Sequence, residues 1–111
     1  MKHGRRHHST AYHQGYIYVV GGEVLYYNYG SLASDCERYN IANDSWEFVP
    51  DIPKKARHMG VITTNSLLLA FGGLSTRNRI KSIQCLDINS LTWRVLSLKL
   101  PGIGTFIACF K

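Results

Sequence analysis

Acidic residues are scarce in this chain: seven Asp and Glu stand against thirteen Lys and Arg, a formal net charge of +6 over 111 residues. That imbalance steers acidic partners toward the surface at long range without naming any of them. The basic residues fall into three groups: Lys2, Arg5 and Arg6; Lys54, Lys55 and Arg57; Arg77, Arg79 and Lys81. No helical or groove-reading motif accompanies them, so they are expected to form mainly a solvated face, with an acidic-ligand surface as the sharper reading. Cysteine is also sparse. Cys36, Cys85 and Cys109 have no CxxC spacing, and each lies in an apolar segment. They are expected to be reduced thiols of a cytoplasmic chain, with the nucleus also open.

Long apolar runs are missing as well. The longest apolar stretch lies within Ser66–Phe71, far below the roughly 18 residues that cross a bilayer. Met1 to Arg6 leads into mixed polar sequence with no apolar signal core, so neither secretion nor membrane insertion is expected. Catalytic signatures are absent too. There is no GxSxG, HExxH or phosphate-binding glycine loop, and the glycine pairs follow strands with no helix behind them to present amides to phosphate. His3, His7 and His8 crowd a basic terminus without an oriented acid or Cys partner, so no metal or cofactor is expected. Asp35 and Glu37 are two apart on an expected strand, but no acid-base partner can be placed beside them. The chain is not expected to be an enzyme.

What is present is a repeat. RHHSTAYHQGYIYVVGG, from Arg6 to Gly22, matches RHMGVITTNSLLLAFGG, from Arg57 to Gly73, at an offset of 51 residues. CERYNIANDSWEFV (Cys36 to Val49) then matches IQCLDINSLTWRVL (Ile83 to Leu96) at an offset of 47, with Tyr39 over Leu86, Asn40 over Asp87 and Trp46 over Trp93. The loop after the first glycine pair, Gly21-Gly22, is therefore four residues longer than the loop after Gly72-Gly73, while the scaffold spacing holds.

Each copy reads as four short strands. In the first these are His8–Tyr12, Tyr16–Val20, Asp35–Tyr39 and Ser45–Val49, with tight turns at His13-Gln14-Gly15 and across Asn40–Asp44. In the second they are Val61–Thr63, Leu67–Phe71, Ser82–Leu86 and Thr92–Leu96. No segment carries a helical period over 11 residues, so the fold is expected to be all-β. A four-stranded meander repeating at 47 to 51 residues fits a propeller blade better than a sandwich, which has no reason to repeat its turn and Trp positions. The adjacent glycines let the chain pass close to a neighbouring strand. Trp46 and Trp93 each cover apolar area while the indole N–H requires a partner.

The pattern Arg6-His7, Tyr16 to Gly22, Tyr39-Asn40 and Trp46, repeated as Arg57-His58, Leu67 to Gly73, Leu86-Asp87 and Trp93, resembles the kelch repeat family. The resemblance covers about residues 5–110 and implies an incomplete kelch-type β-propeller of four-stranded antiparallel blades. It divides the chain into an N-terminal tail (1–4), one blade (5–50), a second blade (51–98) and the first strand of a third (99–111), at Thr105–Phe110. Such propellers usually have five to seven blades, and a closed ring would need roughly 250 to 300 residues, so remaining blades or a second chain would complete it. Leu86 in place of the Tyr39 position suggests a second blade whose core lacks a hydroxyl contact.

By the same resemblance, such propellers commonly bind proteins, including substrates of cullin-based ubiquitin ligases. The expected role is a protein-interaction module that binds a peptide or loop of a partner. Substrate recognition for a cullin-type ligase adaptor is an alternative, and nucleic-acid binding through the basic and Tyr-rich loops is a weaker one. In the kelch arrangement the loops joining strands two to three and four to one share a face. Here these are Glu23–Ser34, Leu74–Lys81, Pro50–Lys55 and Ser97–Gly102. Tyr26, Tyr27 and Tyr29 in the first, and Arg77, Asn78 and Arg79 in the second, are the candidate partner-binding residues, suited to an acidic peptide or loop.

Overall fold

The computed structural model of the chain describes residues 4–26, 29–76 and 78–97. These form antiparallel sheets and, among the described residues, no helix. The strands are β1 (Arg5–Arg6), β2 (Ser9–His13), β3 (Tyr16–Val20), β4 (Glu23–Tyr26), β5 (Tyr29–Leu32), β6 (Cys36–Asn40), β7 (Ser45–Val49), β8 (Gly60–Thr63), β9 (Leu67–Phe71), β10 (Ser82–Asp87) and β11 (Thr92–Ser97). Two four-stranded sheets, β2-β3-β6-β7 and β8-β9-β10-β11, are the two blades in meander order, and a third sheet has the order β1-β4-β5. The third-blade strand expected at Thr105–Phe110, the rest of residues 99–111, and residues 1–3 of the tail lie outside the described residues.

Two expectations need correction. The stretch Glu23–Ser34 is not simply a loop, because β4 and β5 form a hairpin in register from Glu23↔Leu32 to Tyr26↔Tyr29. The inner strand expected at His8–Tyr12 also lies one residue further on, at Ser9–His13. Arg5 and Arg6 form their own two-residue strand, paired Arg5↔Val24 and Arg6↔Glu23, and the inner strand starts at Ser9. The second blade repeats this pairing in reduced form, with isolated bridges Arg57↔Leu74 and Leu74↔Arg79. Leu74 lies at the position of Glu23, and Arg79 at that of Leu32.

The unbroken apolar run of β9 follows from its place in the fold. Alternate residues of a strand point to opposite faces, and a sheet covered on both faces has no reason to alternate polar with apolar. Leu68 and Ala70 face the first blade, where they join Tyr18, Val20 and Cys36 in one core with Leu86 and with Ile52, Ala56 and Met59 of the connection. Leu69, with Ile83 and Cys85, packs on the other face together with Ile62, Leu67 and Phe71. Burying one such aliphatic side chain fully is worth roughly 1.5–3 kcal/mol, so the seam between blades is the main source of cohesion.

Side-chain bonds to backbone register one blade against the other. His13 Nε2–H donates to the Asn65 carbonyl (2.8 Å), Thr63 Oγ1 to the Tyr12 carbonyl (2.8 Å) and Ser9 Oγ to the Met59 carbonyl. The inner strands β2 and β8 thus sit side by side without a backbone ladder. Trp93 donates its indole N–H to the Pro50 carbonyl at 2.8 Å, which ties the outer strand of one blade to the segment leaving the other. Tyr39 packs on Trp46 with ring centroids 5.1 Å apart and donates its hydroxyl to Asp44 Oδ1 at 2.5 Å. Leu86 at the equivalent place is fully buried and has no hydroxyl to satisfy.

The glycine pairs share a backbone conformation, with φ of 72° and 90° at Gly21 and Gly22 and 71° and 93° at Gly72 and Gly73. All four lie in the left-handed region that favours glycine. A Cβ on Gly21 would lie 2.6 Å from the Ala56 carbonyl oxygen of the connection to the second blade, and one on Gly22 would lie 2.6 Å from the Arg6 carbonyl oxygen. Gly22 N–H uses that close approach, donating to Ala56 O at 2.8 Å.

Candidate interaction face

The hairpin β4–β5, the turn after Gly73 and the segment 50–59 converge around one carboxylate. Glu23 is buried and follows the first glycine pair, so its side chain projects where the two blades meet. Its Oε1 accepts from Arg57 NH1 at 2.8 Å and from His7 Nδ1–H at 3.2 Å, while Oε2 lies 3.5 Å from Arg6 NH2. The hydrogen bond from Arg57, then that from His7, with charge support from Arg57 and Arg6, outweigh burial and hold the carboxyl down at about 2. His7 and His58, at equivalent repeat positions with φ of 54° and 57°, stack at 4.4 Å and 29° between planes. His58 N–H donates to the His7 carbonyl at 3.1 Å.

The depressed carboxyl has a pH signature. A carboxylate whose folded pKa lies below its ordinary value near 4.5 contributes stability that is present above that ordinary value and lost as pH falls toward the folded one. Unfolding midpoints measured from pH 6 down to about pH 2 should therefore fall more steeply for the natural chain than for Glu23→Gln. Parallel curves would show that the Arg57 and His7 contacts contribute nothing.

A second carboxylate holds the first blade internally. Arg5 and Glu37 have fully buried side chains and meet at 2.9 Å, and Arg5 NH1 also donates to the carbonyls of Asp35 at 2.7 Å and Gly21 at 3.2 Å. Arg5 therefore does not belong to a solvated basic face. In the second blade Ala56 and Gln84 occupy these two positions, and Gln84 bonds the backbone of Lys54 instead, accepting from its N–H at 2.8 Å and donating to its carbonyl at 3.0 Å. Both pairs were missed from the sequence, although the repeat alignment puts Glu37 over Gln84 and so carried the signal.

Beside Glu23 runs a trough of adjoining concavities that share Arg57, Leu74, Ser75, Thr76 and Arg79. Ser75 and Asn78 close the turn at its edge, Ser75 N–H and Oγ both reaching the Asn78 carbonyl at 2.8 Å. Asn78 and Arg79 are exposed, and Arg79 makes no hydrogen bond or ion pair among the described residues. Of the other candidate residues, Tyr26 and Tyr29 form the last pair of the β4–β5 hairpin, while Tyr27 and Arg77 lie outside the described residues. The structure thus brings Asn78 and Arg79 to the trough with Arg57, His58 and Glu23. A separate cleft by Leu67, Cys85 and Leu96 opens on the blade face turned away from this seam.

Among the described residues no group of three His, Cys, Asp or Glu is placed to hold a metal ion, and no helix is long and apolar enough to cross a membrane. The buried Cys36 thiol, pushed up to about 12 chiefly by burial, is a core residue and not a nucleophile.

Comparison with known proteins agrees with this architecture. The model of the Kelch motif matches residues 4–53. Kelch-like protein 38 of Rattus norvegicus is 30% identical over 94 residues, covering 84% of this chain and 16% of that protein. Kelch-like protein 15 of Homo sapiens is 34% identical over 73 residues, 65% of this chain and 11% of the relative. Alpha-scruin of Limulus polyphemus is 26% identical over 109 residues, 94% of this chain and 12% of the relative. The chain therefore spans less than a fifth of the length of these relatives. With paired blades, matched glycine conformations and these similarities, the chain forms a partial kelch-type β-propeller.

Proposed function

We propose that the chain is part of a protein-recognition propeller of the cullin-ligase-adaptor kind, and that the trough beside Arg57 and Arg79 receives an acidic peptide or loop of the partner. The observation that carries this reading is the contrast among the arginines. Arg5, Arg6, Arg38 and Arg57 each pair with a carboxylate of the chain itself, whereas the exposed Arg79 and Arg94 pair with none among the described residues, and of these two it is Arg79 that stands beside the trough, Arg94 lining the cleft on the other blade face. An Arg guanidinium suits a carboxylate because its donors form a planar fork. Tyr26 and Tyr29, on the neighbouring hairpin, and Tyr27, between them in sequence, are proposed to supply aromatic contact area. Matches to several Kelch-like proteins support the adaptor reading over a free-standing module. The reading carries with it a ring completed by further blades or a second chain, and a cytoplasmic or nuclear setting in keeping with the buried side chains of Cys36 and Cys85.

The test is fluorescence anisotropy with a fluorescein-labelled hexaglutamate peptide, hexaglutamine as the uncharged control and a single-stranded oligonucleotide as competitor. The natural chain should bind hexaglutamate over hexaglutamine, and Arg77→Ala/Arg79→Ala should weaken that binding by roughly tenfold or more. Equal affinity of both chains, or tighter binding of the oligonucleotide than of the peptide, would overturn the reading.

A further inference from the structure

The two blades present the same backbone at the trough but not the same charge. In the first, Glu23 follows the glycine pair and bridges Arg6↔Glu23, and its carboxylate accepts from His7 and Arg57. The second has the same bridge at Arg57↔Leu74, the same glycine conformations and the same left-handed histidine, yet Leu74 replaces the acid. His58 accordingly has the backbone placement of His7 without the carboxylate that His7 contacts. Its ring nitrogens make no hydrogen bond among the described residues. Arg79 brings an exposed guanidinium to a position where the first blade has Leu32. His58, Leu74, Arg79 and the glycine pair line a concavity of about 470 Å³ with Ile80.

We propose that this concavity is a carboxylate seat in which an Asp or Glu side chain of the partner takes the place that Glu23 fills in the first blade. His58 and Arg79 supply the donors, and Leu74 gives an apolar floor for the methylene groups of the acid. The first blade's seat is filled by its own Glu23, so recognition is confined to the second. This inference rests on the acidic-peptide reading above and names the site within it.

Three variants of the 111-residue chain test the seat with the same hexaglutamate probe. Leu74→Glu restores the first-blade arrangement and should weaken binding by roughly tenfold through self-occupation and like-charge repulsion. Leu74→Gln should bind as the natural chain does. Ile41→Glu, the same charge change on an exposed turn residue at 47% exposure, should leave affinity within about twofold, the scale of rim charges screened by salt. In NMR titrations hexaglutamate should shift the imidazole signals of His58 more than those of His7, which stacks on it, and Leu74→Glu should abolish the His58 shift. If Arg77→Ala/Arg79→Ala loses binding while Leu74→Glu keeps it, the seat is wrong and the broader reading survives. No binding by the natural chain sinks both. A His58 shift produced by inorganic phosphate but not by hexaglutamate would make this a phosphate site and overturn the carboxylate assignment.

Discussion

Gly21→Ala is expected to destabilise the chain by roughly 3–5 kcal/mol, against about 1–2 kcal/mol for Gly72→Ala, in denaturant unfolding of the two variants. The residues hold the same repeat position and the same φ, 72° and 71°, so the cost of placing an alanine in the left-handed region is common to both. What differs is the neighbour. A Cβ at Gly21 would lie 2.4 Å from Met59 Cε and 2.6 Å from the Ala56 carbonyl oxygen, while at Gly72 no atom lies within 4 Å. The Met59 methyl can swing aside, but the Ala56 carbonyl is held by Gly22 N–H and can retreat only by separating the blades. Equal losses at the two positions would mean that the glycines serve conformation alone and that the close approach between blades has no energetic weight.

The second large effect concerns the buried charge pair. Arg5→Ala leaves the Glu37 carboxylate without its guanidinium in a site with no exposed side-chain surface, and removing one member of such a pair costs about 3–5 kcal/mol. The molecule contains its own remedy, because the second blade carries Ala56 and Gln84 at these two positions. Arg5→Ala/Glu37→Gln imports that uncharged arrangement and should recover at least half of the loss in the same unfolding experiment. Failure of the double variant to recover stability would show that Arg5 acts through the Asp35 and Gly21 carbonyls more than through Glu37.

These two predictions also mark where the sequence was readable. Strands such as Tyr16–Val20, Ser45–Val49 and Leu67–Phe71 were bounded correctly because short apolar runs end at Gly, Asn or Asp, and those signals are local. Register between blades was legible through the repeat itself. The β4–β5 hairpin was not, since VLYYNYGS has no clean alternation and its partner strand is only Arg5-Arg6, about 17 residues earlier. Arg5 was read as solvated for a similar reason. Nothing near it in sequence is acidic, and its partner Glu37 arrives from 32 residues away. At the trough, Arg79 and Asn78 were singled out as candidates from residue type and loop position, and the fold places both along it, whereas Glu23 was overlooked because a single acid in a basic chain reads as an ordinary surface residue until the fold surrounds it with Arg57, His7 and Arg6.

The bridges that close the hairpin of the first blade and the turn of the second have a consequence for variation. The frame Glu23↔Leu32 spans eight intervening residues and the frame Leu74↔Arg79 spans four, yet both hang from the same backbone pairing beside the glycines. Doubling a flexible loop costs only about 0.6 kcal/mol in closure entropy. The frame therefore works as a mount onto which new recognition segments can be grafted, letting lineages, or a designer, exchange what the face reads without re-engineering the propeller beneath it.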